Sequence, residues 1–164
     1  MPGSATRVAG VPRVLVTGMS GTGKSTVLAA LGERGHLVVD TDTDEWSRWV
    51  TLDDGSPDWI WREDAIGALL DAHPTLFVAG CKSNQGAFYD RFEHVVLLSA
   101  PVEVMLDRIA TRVTNPYGKT AAERAEILRN HAVVEPLLRK RATLEIDTSA
   151  PLDDVVARLL GLLS

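Results

Sequence analysis

Residues 18–25 read Gly-Met-Ser-Gly-Thr-Gly-Lys-Ser, a complete G-x-x-x-x-G-K-[ST] motif. Its flanks are as constrained as the motif. Arg13-Val14-Leu15-Val16-Thr17 is a short β-branched run that reads as a buried strand. From Lys24 to Arg34, Val27, Leu28 and Leu31 recur on one helical face, and Gly35 closes the segment. In a strand–loop–helix unit of this kind, glycines let backbone N–H groups turn inward around phosphate oxygens. The helix that starts near Lys24 aims its positive end at the same place. Lys24 is expected to reach the β- and γ-phosphates of a nucleotide, and the Ser25 hydroxyl to bind Mg²⁺. Gly18, Ser20, Gly21, Thr22, Gly23, Lys24, Ser25 and Thr26 are therefore the nucleotide-binding candidates.

The rest of the chain repeats the strand–helix rhythm. Leu37 to Val39 reads as a second strand, ended by Asp40. Thr41 to Val50 reads as a helical turn or short helix, and Asp58 to Ala72 as a helix stopped by His73-Pro74. Leu76 to Ala79 and Val95 to Leu98 are the third and fourth strands. Val102 to Arg112 is a helix with Pro101 at its start. Thr120 and Glu123 form a capping box that opens a helix to about Arg141, which Pro136 should kink or break. Thr143 to Ile146 is the fifth strand and Pro151 to Leu163 the closing helix. Apolar strands alternating with helices imply an α/β fold whose parallel sheet is covered on both faces.

At 164 residues the chain is one domain's worth. Residues 1–11 read as a flexible tail and 12–164 as a single domain. The net charge of −5 argues against a polyanion-binding surface, so no nucleic-acid partner is expected. The absence of a signal peptide or membrane-length apolar run predicts a cytoplasmic protein without a membrane partner. The lone Cys81 makes no intramolecular disulfide, and the four histidines show no ligand spacing.

The second chemical signal is Asp40-Thr41-Asp42, at the carboxyl end of a strand, where ligands of open parallel sheets bind. Asp42 could orient or deprotonate an acceptor hydroxyl. The third and fourth strands end in Ala79-Gly80 and Ser99-Ala100, without an acidic residue, which leaves Asp40 to support the metal with Ser25. Trp46, Trp49, Trp59 and Trp61 follow closely and read either as a local core cluster or as an aromatic acceptor pocket. Arg48 and Arg62 lie among them and could grip an anion. Lys82, Ser83 and Asn84, in the polar loop after the third strand, are further acceptor-side candidates. The segment Arg108 to Lys119 reads as a lid, with Arg112 or Lys119 bringing a cation over transferred phosphate.

From Arg13 to Leu163 the order of these motifs resembles the shikimate kinase and gluconate kinase group of small P-loop kinases, relatives of nucleoside monophosphate kinases. Val38-Val-Asp-Thr-Asp42 is similar to the segment of shikimate kinases whose first Asp supports Mg²⁺ and whose second contacts the acceptor hydroxyl. Trp61-Arg62-Glu63 is similar to their F-R-x-x-E stretch, which makes Arg62 an acceptor-binding candidate. The resemblance implies that Arg108 and Pro151 cover the nucleotide base. It also implies a three-layer α/β/α P-loop fold, a five-stranded sheet of order 2-3-1-4-5, an acceptor-binding insert at about 41–72 and a lid at about 112–120.

The chain departs from the group on the acceptor side. Ala79-Gly80-Cys81-Lys82 replaces a run of three glycines, Val134-Glu135-Pro136 stands where a carboxylate-binding Arg is expected, and Asn115 replaces a lid Arg. The expectation is an ATP- and Mg²⁺-dependent kinase, acting as a monomer on a hydroxyl of a small molecule other than shikimate. Its catalytic residues are Lys24, Asp42 and Arg112, its acceptor is held by Asp42, Trp46, Arg62, Lys82 and Asn84, and its metal by Ser25 and Asp40. The alternatives are a nucleoside or nucleoside monophosphate kinase, and a regulatory module that binds ATP without transferring phosphate.

Overall fold

The computed structural model describes residues 12–113 and 116–163; the expected tail lies outside them. Strand β1 (Arg13–Thr17) is the centre of the molecule. It pairs in parallel with β5 (Leu76–Ala79) on one side and β6 (His94–Ser99) on the other. Strand β2 (Val38–Asp40) extends the sheet beyond β5, and β7 (Leu144–Asp147) extends it beyond β6. The sheet order is β2-β5-β1-β6-β7, which is 2-3-1-4-5 when its five strands are counted along the chain.

Both faces of β1 are apolar because helices cover both. Val14 and Val16 pack against Val27, Leu28 and Leu31 of α1 (Lys24–Glu33) and Val155, Val156 and Leu159 of α5 (Leu152–Leu160). Leu15, pointing the other way, packs with Ile66, Leu69 and Leu70 of α2 (Glu63–Ala72) and with Trp61. A third cluster joins Met19 and Leu97 to Met105 of α3 (Val102–Thr111) and Leu138 of α4 (Ala121–Arg141). The three layers match the expected architecture. No helix among the described residues is long and apolar enough to cross a membrane.

The structure corrects the sequence reading in two places. Residues 41–61 form no helix beyond a single turn, in which the Trp46 and Ser47 N–H groups donate to the Thr43 carbonyl (3.1 and 2.9 Å). Ser47–Thr51 (β3) and Pro57–Trp61 (β4) form a separate antiparallel hairpin, and helix α2 begins only at Glu63. Alternation of Trp49, Thr51, Trp59 and Trp61 on one face carries the strands, and an Asp54-Gly55 turn joins them, with Gly55 at φ +86°. Helix α4 also runs unbroken through Pro136, opened by the expected Thr120–Glu123 capping box.

The hairpin is stitched to the sheet through Trp61. Its side chain is fully buried, and its indole N–H donates to Thr41 Oγ1 (2.7 Å), which donates in turn to the Ala79 carbonyl (2.7 Å). Asn84 completes the seam, accepting from the Trp61 N–H (3.0 Å) and donating to its carbonyl (3.1 Å). Trp61→Ala removes a large core side chain and the indole N–H that donates to Thr41 Oγ1. It should cost about 3–5 kcal/mol of stability in urea unfolding; a loss below about 1 kcal/mol would show that the hairpin is not anchored there.

Candidate active site

The loop from Gly18 to Gly23 turns in space that excludes side chains. A Cβ on Gly18 would meet the Leu98 carbonyl oxygen at 2.5 Å and Thr22 Oγ1 at 2.8 Å. Gly21, at φ +81°, would meet the Met105 carbonyl at 2.8 Å. Thr22 itself is buried, its hydroxyl donating to the Met19 carbonyl (2.8 Å). Helix α1 starts at Gly23 with no side-chain cap, so N–H groups of its first turn remain for an anionic ligand. Lys24 bends back over this cradle and donates to the carbonyls of Gly18 (2.6 Å) and Met19 (3.0 Å). Burial pushes its ammonium below the usual lysine range, opposed by the nearby Cys81, Asp40 and Asp42.

A cavity of about 720 Å³ opens from the cradle. Gly18, Ser20, Gly21, Gly23, Lys24, Ser25 and Thr26 line one end, and Asp40, Asp42, Cys81 and Lys82 line another part of it. Ser25 Oγ donates to Asp40 Oδ2 across 3.3 Å, which places two hard oxygen ligands side by side at the mouth. That donor set fits Mg²⁺, which binds through one or two protein oxygens together with substrate phosphates.

Asp42 is clamped through a single oxygen. Its Oδ1 accepts from Lys82 Nζ (2.7 Å) and from Trp59 Nε1 (2.7 Å). Burial by itself would raise the carboxyl's pKa. The hydrogen bond and charge of Lys82, the Trp59 N–H and the charge of Lys24 outweigh it and hold the group below the usual carboxylate range. Asp42 therefore stays ionised and is a fixed hydrogen-bond acceptor, a poor store for a proton. The Lys82 ammonium also lies 5.6 Å from the centre of the Trp59 ring.

The second wall comes from α3 and the loop after β7. Arg108 donates to the Gly21 carbonyl (3.2 Å), Thr148 Oγ1 (2.9 Å) and the Thr148 carbonyl (2.6 Å), which fixes its guanidinium beside the phosphate loop. Arg112 lines the cavity and donates to the Tyr117 carbonyl (2.6 Å). Lys119 does not line it; its ammonium caps α3 through the carbonyls of Ile109, Ala110 and Arg112. Pro151 is the N-cap of α5, and its neighbours Ala150 and Leu152 reach the cavity. Residues 114 and 115 of the expected lid lie outside the described residues.

Three acceptor candidates stand away from the cavity lining. Trp46 packs against the Trp61 core. The Arg62 Nε donates to the Asp44 carbonyl (2.9 Å). Asn84 serves the Trp61 backbone and Glu63. The tryptophans thus divide: Trp61 and Trp46 belong to the core, while Trp59 and Trp49 face each other across the hairpin with ring centres 5.1 Å apart. Glu135 is buried and accepts from Arg139 (2.8 Å), and Val134 packs with Met19 and Cys81. The sequence reading missed the Asp42–Lys82 pair, the Thr148–Arg108 contact and Asn130, a lining residue from α4. Each joins residues far apart in the chain, and no local pattern announces them.

Comparison with known proteins agrees with this geometry. Residues 14–129, more than half of the chain, match a family model described as an AAA domain. A shikimate kinase from Acinetobacter baumannii, solved with shikimate, superposes with a TM-score of 0.68 at 20% identity, covering 99% of this chain and 97% of that one. A sugar kinase from a Janibacter species gives 0.57 at 20% identity, covering 93% and 94% of the two chains. A gluconokinase from Sinorhizobium meliloti gives 0.55 at 20% identity, covering 95% and 93%. The chain shares the fold of small P-loop kinases.

The clamp on Asp42 has a pH signature. A carboxylate whose folded pKa is depressed contributes stability above its unfolded pKa and loses it as pH falls through the folded value. Lys82→Met should cost about 1 kcal/mol at neutral pH, because Asp42 is 61% exposed and screened although the Lys82 side chain is mostly buried. The gap from the wild type should close in acid, below the lowered pKa of Asp42. Urea unfolding of both proteins against pH checks this, and a gap that persists unchanged in acid would contradict the pairing.

Proposed function

The chain belongs to the AAA domain family, and on that premise we propose that it is an ATP- and Mg²⁺-dependent kinase that phosphorylates a hydroxyl of a small molecule. The observation that carries this is the single cavity lined both by the phosphate cradle with Lys24 and by an ionised, clamped Asp42. A nucleotide-binding module without an acceptor needs the cradle and has no use for the clamped carboxylate.

In this reading ATP lies with its phosphates in the loop. Lys24 leaves the carbonyls of Gly18 and Met19 for phosphate oxygens, and the first-turn N–H groups of α1 complete the cradle. Ser25 and Asp40 would hold Mg²⁺, which when bound neutralises phosphate charge. Arg108 borders the nucleotide, and Arg112 supplies positive charge from the lid side. Asp42 holds the acceptor hydroxyl in line. The acceptor oxygen bonds to the γ-phosphorus, the bond to the β,γ-bridging oxygen breaks, ADP departs, and the hydroxyl proton passes to solvent. Alignment and electrostatics do most of the work in such a transfer.

Shikimate is not the proposed acceptor, because Val134 and Glu135 stand where the resemblance to shikimate kinases implies a carboxylate-binding Arg. A nucleoside monophosphate acceptor is not favoured either, since neither Arg48 nor Arg62 lines the cavity. The enzyme is proposed to work as a monomer.

The test is MgATP-dependent ADP release across sugars, cyclitols, nucleosides, gluconate and shikimate, with ATP affinity measured alongside. Asp42→Asn should lower kcat about 10²-fold, as loss of acceptor alignment does, while leaving ATP affinity unchanged. Equal turnover by the variant, or tight ATP binding with no acceptor-dependent turnover, would count against the kinase.

A further inference from the structure

Just outside the cavity lining, against Asp42 and Lys82, lies an aromatic surface that the phosphate chemistry does not use. Trp59 touches both residues, by its indole N–H to Asp42 and by its ring face to Lys82. Its cross-strand partner Trp49 carries the same face outward, tilted 43° to it and 66% exposed. Trp61, on the same side of the hairpin, is fully buried in the core. The three rings thus run from the anchored end of the hairpin to solvent, with Trp59 against the carboxylate that would hold a hydroxyl and Trp49, packed on Trp59, leaving apolar ring surface exposed.

The charges at this end set the second constraint. The cavity lining carries two carboxylates, Asp40 and Asp42, and four cations, Lys24, Lys82, Arg108 and Arg112. Lys82 is already paired with Asp42 at 2.7 Å. Both bonds to Asp42 fall on Oδ1, and its side chain is 61% exposed, so Oδ2 is the oxygen open to a ligand. In the kinase reading Lys24 and Arg112 serve phosphate, and Arg108 is bonded to Gly21 and Thr148, so an acidic acceptor would find every cation of the lining committed elsewhere. A flat or ring-shaped molecule without an acidic group meets no such penalty. Its apolar face can lie on an indole while a hydroxyl bonds to the carboxylate.

We infer that Trp59 and Trp49 form the acceptor platform of this enzyme, and that the acceptor is a hydroxyl-bearing ring that carries no acidic group and bonds through a hydroxyl to Asp42 Oδ2. This rests on the kinase reading given above and names its acceptor class. Trp49 is then a specificity-determining residue, and Lys82 and Trp59 are positioning residues for Asp42.

The experiment records the four indole N–H signals by NMR, with protein saturated with Mg²⁺ and the non-transferable ATP analogue adenylyl imidodiphosphate. The probes are hexoses, pentoses, cyclitols and nucleosides as non-acidic rings, with shikimate and gluconate as acidic compounds. At least one non-acidic ring should shift Trp49 and Trp59 while Trp61 stays still. Trp49→Ala should weaken that binding roughly five- to tenfold, and Trp49→Phe should restore most of it. Trp49 is exposed, so both variants are expected to fold, and unchanged urea midpoints confirm it. If no non-acidic ring shifts these indoles, or if shikimate or gluconate binds more tightly and is indifferent to Trp49→Ala, the platform is wrong. Turnover of the bound compound is read separately. Indole shifts without ADP release would overturn the kinase and leave the platform standing, whereas turnover of gluconate indifferent to Trp49→Ala would do the reverse.

Discussion

The close contact between Gly18 and the Leu98 carbonyl decides where everything else can be. With only hydrogen at Gly18, the phosphate loop lies against the end of the neighbouring strand, where a methyl group would come within 2.5 Å of that oxygen. The turn it permits brings α1 back over β1 with its uncapped end facing the cavity. Thr22 and Thr148 then tie the loop to the end of β7, through Thr22 Oγ1 to the Met19 carbonyl and Thr148 Oγ1 to the Thr22 carbonyl (both 2.8 Å). Arg108 fastens α3 to the same point. A rigid cradle matters because phosphoryl transfer gains most from charges and dipoles already in place.

The acceptor end is built by a different device. Strands β3 and β4 add no strand to the main sheet and depend on it for support. Trp61, Thr41 and Ala79 connect hairpin, β2–β3 segment and sheet in a chain of buried hydrogen bonds. Gly80 leaves room for that chain, since a Cβ there would meet Thr41 Oγ1 at 2.5 Å and the Trp61 indole at 3.1 Å. Core packing at Trp61 is thereby coupled to the site at Trp59, two residues away on the same face. The loop that follows Gly80 supplies Lys82, so the two partners of Asp42 come from elements held by one seam.

The fold was legible in the sequence because its signals are local and repeated. Apolar runs mark the strands of the sheet, helical spacing marks α1, and Thr120 with Glu123 marks the start of α4. The hairpin was misread because its aromatic residues fit a helix as readily as a strand, although Asp54-Gly55 between alternating runs carried the turn signal. Pro136 was expected to disturb α4, yet the helix runs through it, with Ile127, Glu135 and Leu138 buried along its length. The phosphate loop and Asp42 were identified because their motifs are contiguous. The clamp by Lys82 was not, because it spans 40 residues and depends on where the hairpin settles.

The account stands or falls on where the γ-phosphate goes. Phosphorus-31 NMR of the protein with MgATP and a set of non-acidic ring compounds follows that phosphorus directly. A new phosphomonoester signal is expected, growing in step with ADP and slowed about 10²-fold by Asp42→Asn. Only inorganic phosphate, or an ATP spectrum that does not change although the nucleotide is bound, would contradict it.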